Sequence, residues 1–307
     1  MTRLAVNGIE LNVEVSGAVD APALTLLHGF TGDVSTWKDG GHPRSPAKGP
    51  TRGELDLRSD LPGAWSAYRI VRVDLIGHGR SDAPADAARY SMQHATSDLV
   101  AVLDHLGIAR TALLGYSLGG RVALHLALAA PERLSALVCE SASPGIEDAT
   151  ERAARVAADA ALADSIERDG IEAFVDRWQA QPLFASQSNL PAAVLDAQRS
   201  VRLSQSPRGL ANSLRGMGAG AQAYLLPRLA SLNMPSLFIA GALDERYAAM
   251  APRLAAAVPG AEQRIVPEAG HAVHLEQPAA FAASVGEFLE RHAPDQATLR
   301  SQHASHK

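Results

Sequence analysis

Gly115-Tyr116-Ser117-Leu118-Gly119 follows the short apolar run Thr111 to Leu114 and opens an Ala/Leu-rich segment, Gly120 to Ala130. Strand, sharp turn, helix is the setting of a nucleophile elbow. The glycines matter sterically, because a tight strand-to-helix turn strains the serine backbone and leaves no room for bulky neighbours. Such a turn lifts the Ser117 hydroxyl clear of the sheet. It also leaves the Leu118 amide free at a helix N-terminus, where it can stabilise a developing anion.

Working outward, Ala23–Leu27, Tyr68–Val73, Thr111–Leu114 and Leu134–Cys139 read as buried strands of a largely parallel sheet. Ser236–Ala240 and Glu262–Val266 follow later, and Ala95–Leu106, Gly120–Ala130 and Pro278–His292 carry helical patterns between and after them. The alternation predicts an α/β chain. Residues 1–140 and 234–292 read as two parts of one core. Residues 141–233, helical in period and without a convincing strand, read as a helical lid inserted between two sheet strands. Lys38 to Asp60 is rich in Gly, Pro and charge and reads as a long surface loop, and residues 293–307 as a polar, frayed tail.

The chain has 307 residues, 47% of them hydrophobic, enough for a substantial core. A net charge of −5 leaves no electrostatic footprint for nucleic acid or an acidic membrane. Met1 to Val15 alternates like a strand and has no signal-peptide apolar region, and no run approaches transmembrane length. A cytoplasmic location without membrane insertion is the expectation. The single cysteine, Cys139, lies in an apolar run and reads as a small buried hydrophobe.

A serine hydroxyl becomes a useful base or nucleophile only when a histidine takes its proton, and that histidine needs a carboxylate to fix its tautomer. Behind an elbow of this kind the chain order is Ser, acid, His, each on a loop after a strand. Asp244 follows the strand ending near Gly241, and His271 follows Glu262–Val266 in Ala269-Gly270-His271. Glu140 also follows a strand and is a rival acid. His274 reads as a wall residue. A second oxyanion donor is expected from Leu26-Leu27-His28-Gly29-Phe30, with the Phe30 amide aimed at the anion and His28 in a structural, hydrogen-bonded role. In Asp74-Leu75-Ile76-Gly77-His78-Gly79-Arg80-Ser81 the glycines and Asp74 read as turn chemistry, and His78 as structural. The histidines show no metal spacing and no Gly-rich phosphate loop occurs, so neither metal nor other cofactor is expected.

As a set these residues resemble the α/β-hydrolase fold superfamily, from about Leu24 to Phe288. A closer resemblance lies in Gly115-Tyr116-Ser117-Leu118-Gly119-Gly120-Arg121, Glu140-Ser141-Ala142-Ser143-Pro144-Gly145 and Glu151-Arg152-Ala153-Ala154-Arg155. It extends through Trp178 to Ser186, Leu214-Arg215-Gly216-Met217-Gly218 and Asp244-Glu245-Arg246-Tyr247. These are similar to the 2-succinyl-6-hydroxy-2,4-cyclohexadiene-1-carboxylate synthases of menaquinone biosynthesis. The resemblance implies a lyase that eliminates pyruvate from 2-succinyl-5-enolpyruvyl-6-hydroxy-3-cyclohexene-1-carboxylate, with Ser117, His271 and Asp244 as the base. It implies Phe30 and Leu118 as the oxyanion hole.

A substrate with three carboxylates calls for cations. Arg121 stands one helical turn after Ser117, facing the same mouth, with its side chain at a solvated edge as the structural alternative. Arg152 and Arg155, three apart, would share a helix face, and Arg202 and Arg246 are further candidates. Arg246 stands where the family commonly has lysine. Tyr116 and Trp178 are candidate pocket walls. A hydrolase of esters or carbon–carbon bonds with the same residues, or a ligand-binding protein with little turnover, stay open as alternatives.

Overall fold

The computed structural model describes residues 2–37 and 65–292. The expected loop at 38–60 and the expected tail at 293–307 lie outside these residues. Eight strands form one sheet: β1 (Thr2–Val6), β2 (Ile9–Ser16), β3 (Ala23–Leu27), β4 (Arg69–Val73), β5 (Thr111–Tyr116), β6 (Leu134–Glu140), β7 (Ser236–Gly241) and β8 (Glu262–Val266). Their order is β1-β2-β4-β3-β5-β6-β7-β8. The β1–β2 and β2–β4 pairs are antiparallel, and every later pair is parallel.

The N-terminal segment, which reads from its alternation as one strand, is a hairpin. Asn7 and Gly8 both hold positive φ, at 47° and 83°. Asn-Gly is the pair that such a two-residue turn favours, because its twist matches that of the flanking strands.

The central strands are mostly apolar because helices cover both faces of the sheet. Successive residues serve opposite layers. Leu113 and Phe238 pack on one side with Val122 and Leu126 of α2 (Leu118–Ala129) and Leu99 of α1 (Met92–His105). Leu114 and Ile239 pack on the other with Phe281, Val285 and Phe288.

Between β6 and β7 the chain is helical: α3 (Ala149–Gln179), α4 (Ala192–Leu203) and α5 (Pro207–Met217), with 3-10 turns at Pro182–Asn189 and Leu226–Ser231. Asp148 and Ser206 cap α3 and α5 by accepting from Glu151 N and Gly209 N. This part has a small core of its own, where Ile166, Phe174 and Val175 of α3 meet Leu210, Ala211 and Leu214 of α5, and Phe30 packs against it. After β7 come α6 (Glu245–Ala257), α7 (Val273–Glu276) and α8 (Pro278–His292). The edge strand β8 carries Glu262 and Arg264, and Arg291 of α8 pairs with Glu262. Charge on an exposed edge discourages pairing with another chain.

Candidate active site

β5 runs directly into Ser117, and α2 begins at the next residue. Ser117 takes φ 50° and ψ −105°, a strained conformation for a side chain with a Cβ. The flanking glycines are what make this turn fit. A Cβ on Gly115 would lie 2.3 Å from Gly119 O, and one on Gly119 would lie 2.3 Å from Leu27 O.

Three chain segments converge at this turn. Ser117 Oγ lies 3.0 Å from His271 Nε2, and His271 Nδ1 lies 2.7 Å from Asp244 Oδ2. With Nδ1–H donating to the carboxylate, Nε2 is left to accept the serine proton. Asp244 Oδ1 also accepts from Tyr247 N at 3.3 Å and so caps α6. His271 and Asp244 are buried, at 2% and 9% exposure. The rival acid, Glu140, is placed differently: its carboxylate accepts from His274 Nδ1 at 2.9 Å and not from His271.

Leu118 is the first residue of its helix, so its N–H has no acceptor within it. Among the described residues the Phe30 N–H likewise has no acceptor. Both residues line a cavity of about 570 Å³ that opens over Ser117, a size suited to a small-molecule ligand. His28 does what a structural histidine does: Nδ1 donates to Gly29 O and Nε2 accepts from Leu75 N. Asp74 accepts from Val34 N, Arg80 N and Asn12 Nδ2, and burial raises its pKa.

The arginines fall into distinct positions. Arg121 lines the cavity, but not at a solvated edge. Its Nη1 donates to Met217 O at 2.6 Å and to Gln222 Oε1 at 2.9 Å, and burial pulls the guanidinium down to about 10. Arg155 lines the cavity with Nε on Asp159 Oδ1 at 2.8 Å, which leaves its two terminal nitrogens out of that bond. Arg202 lines it too, half-buried, its guanidinium 5.0 Å above the Phe184 ring. No carboxylate among the described residues pairs with Arg202, and burial lowers its pKa. Arg246 is exposed at the cavity edge, 5.9 Å from the Tyr247 ring. Arg152 does not line the cavity. It shares α3 with Arg155, but its Nη1 donates to Ile146 O and Glu147 O, bracing the chain that enters the helix.

Tyr116 and Trp178 both line the cavity. The Tyr116 ring lies 5.4 Å from His271 and 4.7 Å from His274, and burial holds its hydroxyl well above the usual pKa. Trp178 stacks on Phe174 and meets Phe30 edge-on.

Sequence reasoning missed Asp159, Gln222 and the Glu140–His274 pair. Asp159 had a signal, since it stands four residues after Arg155 on one helix. Gln222 comes from a loop 101 residues away from Arg121, and no spacing announces it.

A strand–Ser–helix elbow, an acid and a histidine on later strand-end loops, and a sheet of this order define one class: the chain belongs to the α/β-hydrolase fold family, whose pattern it matches over residues 22–278. Nearer relatives are more specific. A Bacillus subtilis (strain 168) protein, provisionally named 2-succinyl-6-hydroxy-2,4-cyclohexadiene-1-carboxylate synthase, is 40% identical over 92% of this chain and 96% of its own. The Serratia proteamaculans (strain 568) protein of that name is 32% identical, over 89% of this chain and 95% of its own. The solved structure of MenH from S. aureus is similar with a TM-score of 0.80 and 30% identity, over 92% of this chain and 99% of that one.

Proposed function

We propose that this protein is a 2-succinyl-6-hydroxy-2,4-cyclohexadiene-1-carboxylate synthase, a lyase of menaquinone biosynthesis. It eliminates pyruvate from the 5-enolpyruvyl precursor. The observation that carries the reading is Arg202, a half-buried guanidinium without a carboxylate partner among the described residues, in the cavity that holds Ser117 and His271. Four arginines line that cavity against two carboxylates, and Asp159 and Asp244 are already engaged by Arg155 and His271. An ordinary ester pocket has no use for such a surplus. A substrate with three carboxylates does: the product in the relatives' names keeps two of them, and the departing enolpyruvyl group carries the third.

The residues then take these roles. Ser117 passes its proton to His271, whose ring Asp244 orients and whose charge it stabilises, and removes the ring proton beside the succinyl ketone. Negative charge moves to the ketone oxygen, where the Phe30 and Leu118 amides stabilise it. The electrons return through the ring double bond, the C5–oxygen bond breaks, and enolpyruvate leaves to become pyruvate. No covalent enzyme intermediate is required. Arg121, Arg155, Arg202 and Arg246 bind carboxylates, and Tyr116 and Trp178 wall the ring. Residues 141–233 act as a lid on a core of 1–140 and 234–292. The location is the cytoplasm; no helix among the described residues is long and apolar enough to cross a membrane.

The test is incubation of purified protein with the enolpyruvyl substrate while pyruvate and the diene product are followed, beside p-nitrophenyl acetate. Stoichiometric pyruvate release with feeble ester turnover is the expected result. Fast ester hydrolysis without pyruvate would overturn the lyase reading in favour of a hydrolase.

A further inference from the structure

The sheet order puts β6 and β7 between β5, which delivers Ser117, and β8, after which His271 stands. Three strand spacings amount to about 14 Å. The His271 loop therefore crosses the ends of two strands to bring Nε2 within 3.0 Å of Ser117 Oγ. Something must set its height and reach over those strands.

We infer that Glu140, at the tip of β6, is the positioning residue that joins the elbow to the histidine loop. Its main-chain carbonyl accepts from Ser117 N at 2.8 Å. Its carboxylate accepts from His274 N at 3.0 Å and from His274 Nδ1 at 2.9 Å. One residue thus grips the Ser117 backbone on one side and the histidine-bearing chain, three residues past His271, on the other. The side chain is fully buried, at 0% exposure, so its bonds are not shared with water.

The rest of the loop transmits this hold. Glu276 accepts from Gly270 N at 2.6 Å and from Ala272 N at 3.2 Å, bracing both sides of His271. The His274 ring is itself wedged, 5.1 Å from Trp37 and 4.7 Å from Tyr116. Asp244 orients the His271 ring, whereas Glu140 sets where the loop stands. Two carboxylates after neighbouring strands therefore serve two histidines, only one of which reaches the serine. The inference rests on Ser117, Asp244 and His271 working together, and not on the identity of the substrate.

The experiment compares Glu140→Gln, Glu140→Leu and His274→Phe by the rate at which a small fluorophosphonate labels Ser117, by turnover, and by thermal unfolding. Labelling reports the serine–histidine geometry whichever substrate is correct, so a failed lyase assay leaves this test intact. Glu140→Gln keeps an oxygen for both His274 donors and should stay within about 10-fold of wild type. Glu140→Leu should label and turn over about 100-fold more slowly with KM within about two-fold, since ~1 Å of misplacement costs that much. If Glu140→Leu does not fold, His274→Phe carries the test, because it loses the ring contact and keeps the backbone one; labelling should slow about 10-fold. A folded Glu140→Leu, or failing that a folded His274→Phe, labelled at the wild-type rate would overturn the inference.

Discussion

Arg202→Met separates binding from folding, because the two should move in opposite directions. Methionine keeps an unbranched apolar stem, gives up the guanidinium that lies 5.0 Å from the Phe184 ring, and removes the charge. Arg155 already shares its cation with Asp159, and Arg121 gives one nitrogen to Met217 O and Gln222. Arg202 has no such commitment among the described residues, so a substrate carboxylate meets it without displacing an internal partner. A charge-assisted bond of that kind is worth roughly 1.5–3 kcal/mol, or about a 10- to 150-fold loss in kcat/KM for Arg202→Met. The folded state, meanwhile, no longer has to withdraw an unpaired cation from water, a cost that burial imposes and that the lowered pKa of Arg202 reflects. The melting temperature should therefore hold or rise. Arg202→Lys should recover part of the activity, keeping charge without the fork. Pyruvate release over a range of substrate concentrations, with calorimetry on the same samples, measures both sides. Full kcat/KM in Arg202→Met, or a loss of activity matched by a collapse in melting temperature, would refute the reasoning.

Three further outcomes are expected. Ser117→Ala, Asp244→Asn and His271→Ala should each cost ~10³-fold or more in kcat; an active Asp244→Asn would show in the same pyruvate assay that the acid lies elsewhere. Arg152→Ala should leave kcat/KM within about two-fold of wild type, since that guanidinium holds Ile146 O and Glu147 O outside the cavity lining, and steady-state kinetics decides it. His78 is pushed down to about 3, by burial first and then by the neighbouring His28. The unfolded chain, with an ordinary histidine near 6.5, binds the extra proton first, so stability is full above that pH and falls as pH drops from 6.5 towards 3. The loss reaches roughly 4–5 kcal/mol at the bottom of that window. Urea unfolding of His78→Asn at pH 4 to 7 should show a flatter slope than wild type, and an unchanged slope would place the acid sensitivity in other groups.

The parallel sheet was legible because its strands are covered on both faces and so spell nearly continuous apolar runs, as in Leu237 to Ala240 of β7. The elbow was legible for a steric reason, since Gly115 and Gly119 stand where a Cβ would strike backbone. Asp244 and His271 could be read from their places after strands. Alternation hid the hairpin at the start, because two antiparallel strands joined by a two-residue turn keep the same period as one; Asn7-Gly8 was the mark to notice. The fates of the arginines were out of reach. Arg152 and Arg155 differ by three positions on one helix, yet one braces a loop and the other faces the cavity, and only long-range contacts decide between them. The Glu140–His274 pair spans 134 residues and has no local trace.

The helical stretch between β6 and β7 leaves the sheet at Glu140 and returns at Ser236, while those two strands pair directly, Leu137 beside Ser236 and Glu140 beside Ile239. By strand spacing and rise, its two ends stand within roughly a dozen ångströms of each other. Holding the ends of a long segment that close costs an entropy that grows only with the logarithm of its length, about 0.6 kcal/mol for each doubling. The sheet is therefore nearly indifferent to how much chain is hung there. Arg155, Trp178 and Arg202 sit on the hung part, while Ser117, Asp244 and His271 sit on the frame. Exchanging that one contiguous stretch would replace Arg155, Trp178 and Arg202 while leaving Arg121, Arg246, Ser117, Asp244 and His271 in place, and a graft made at these two ends is the natural way to recombine this chain with its relatives.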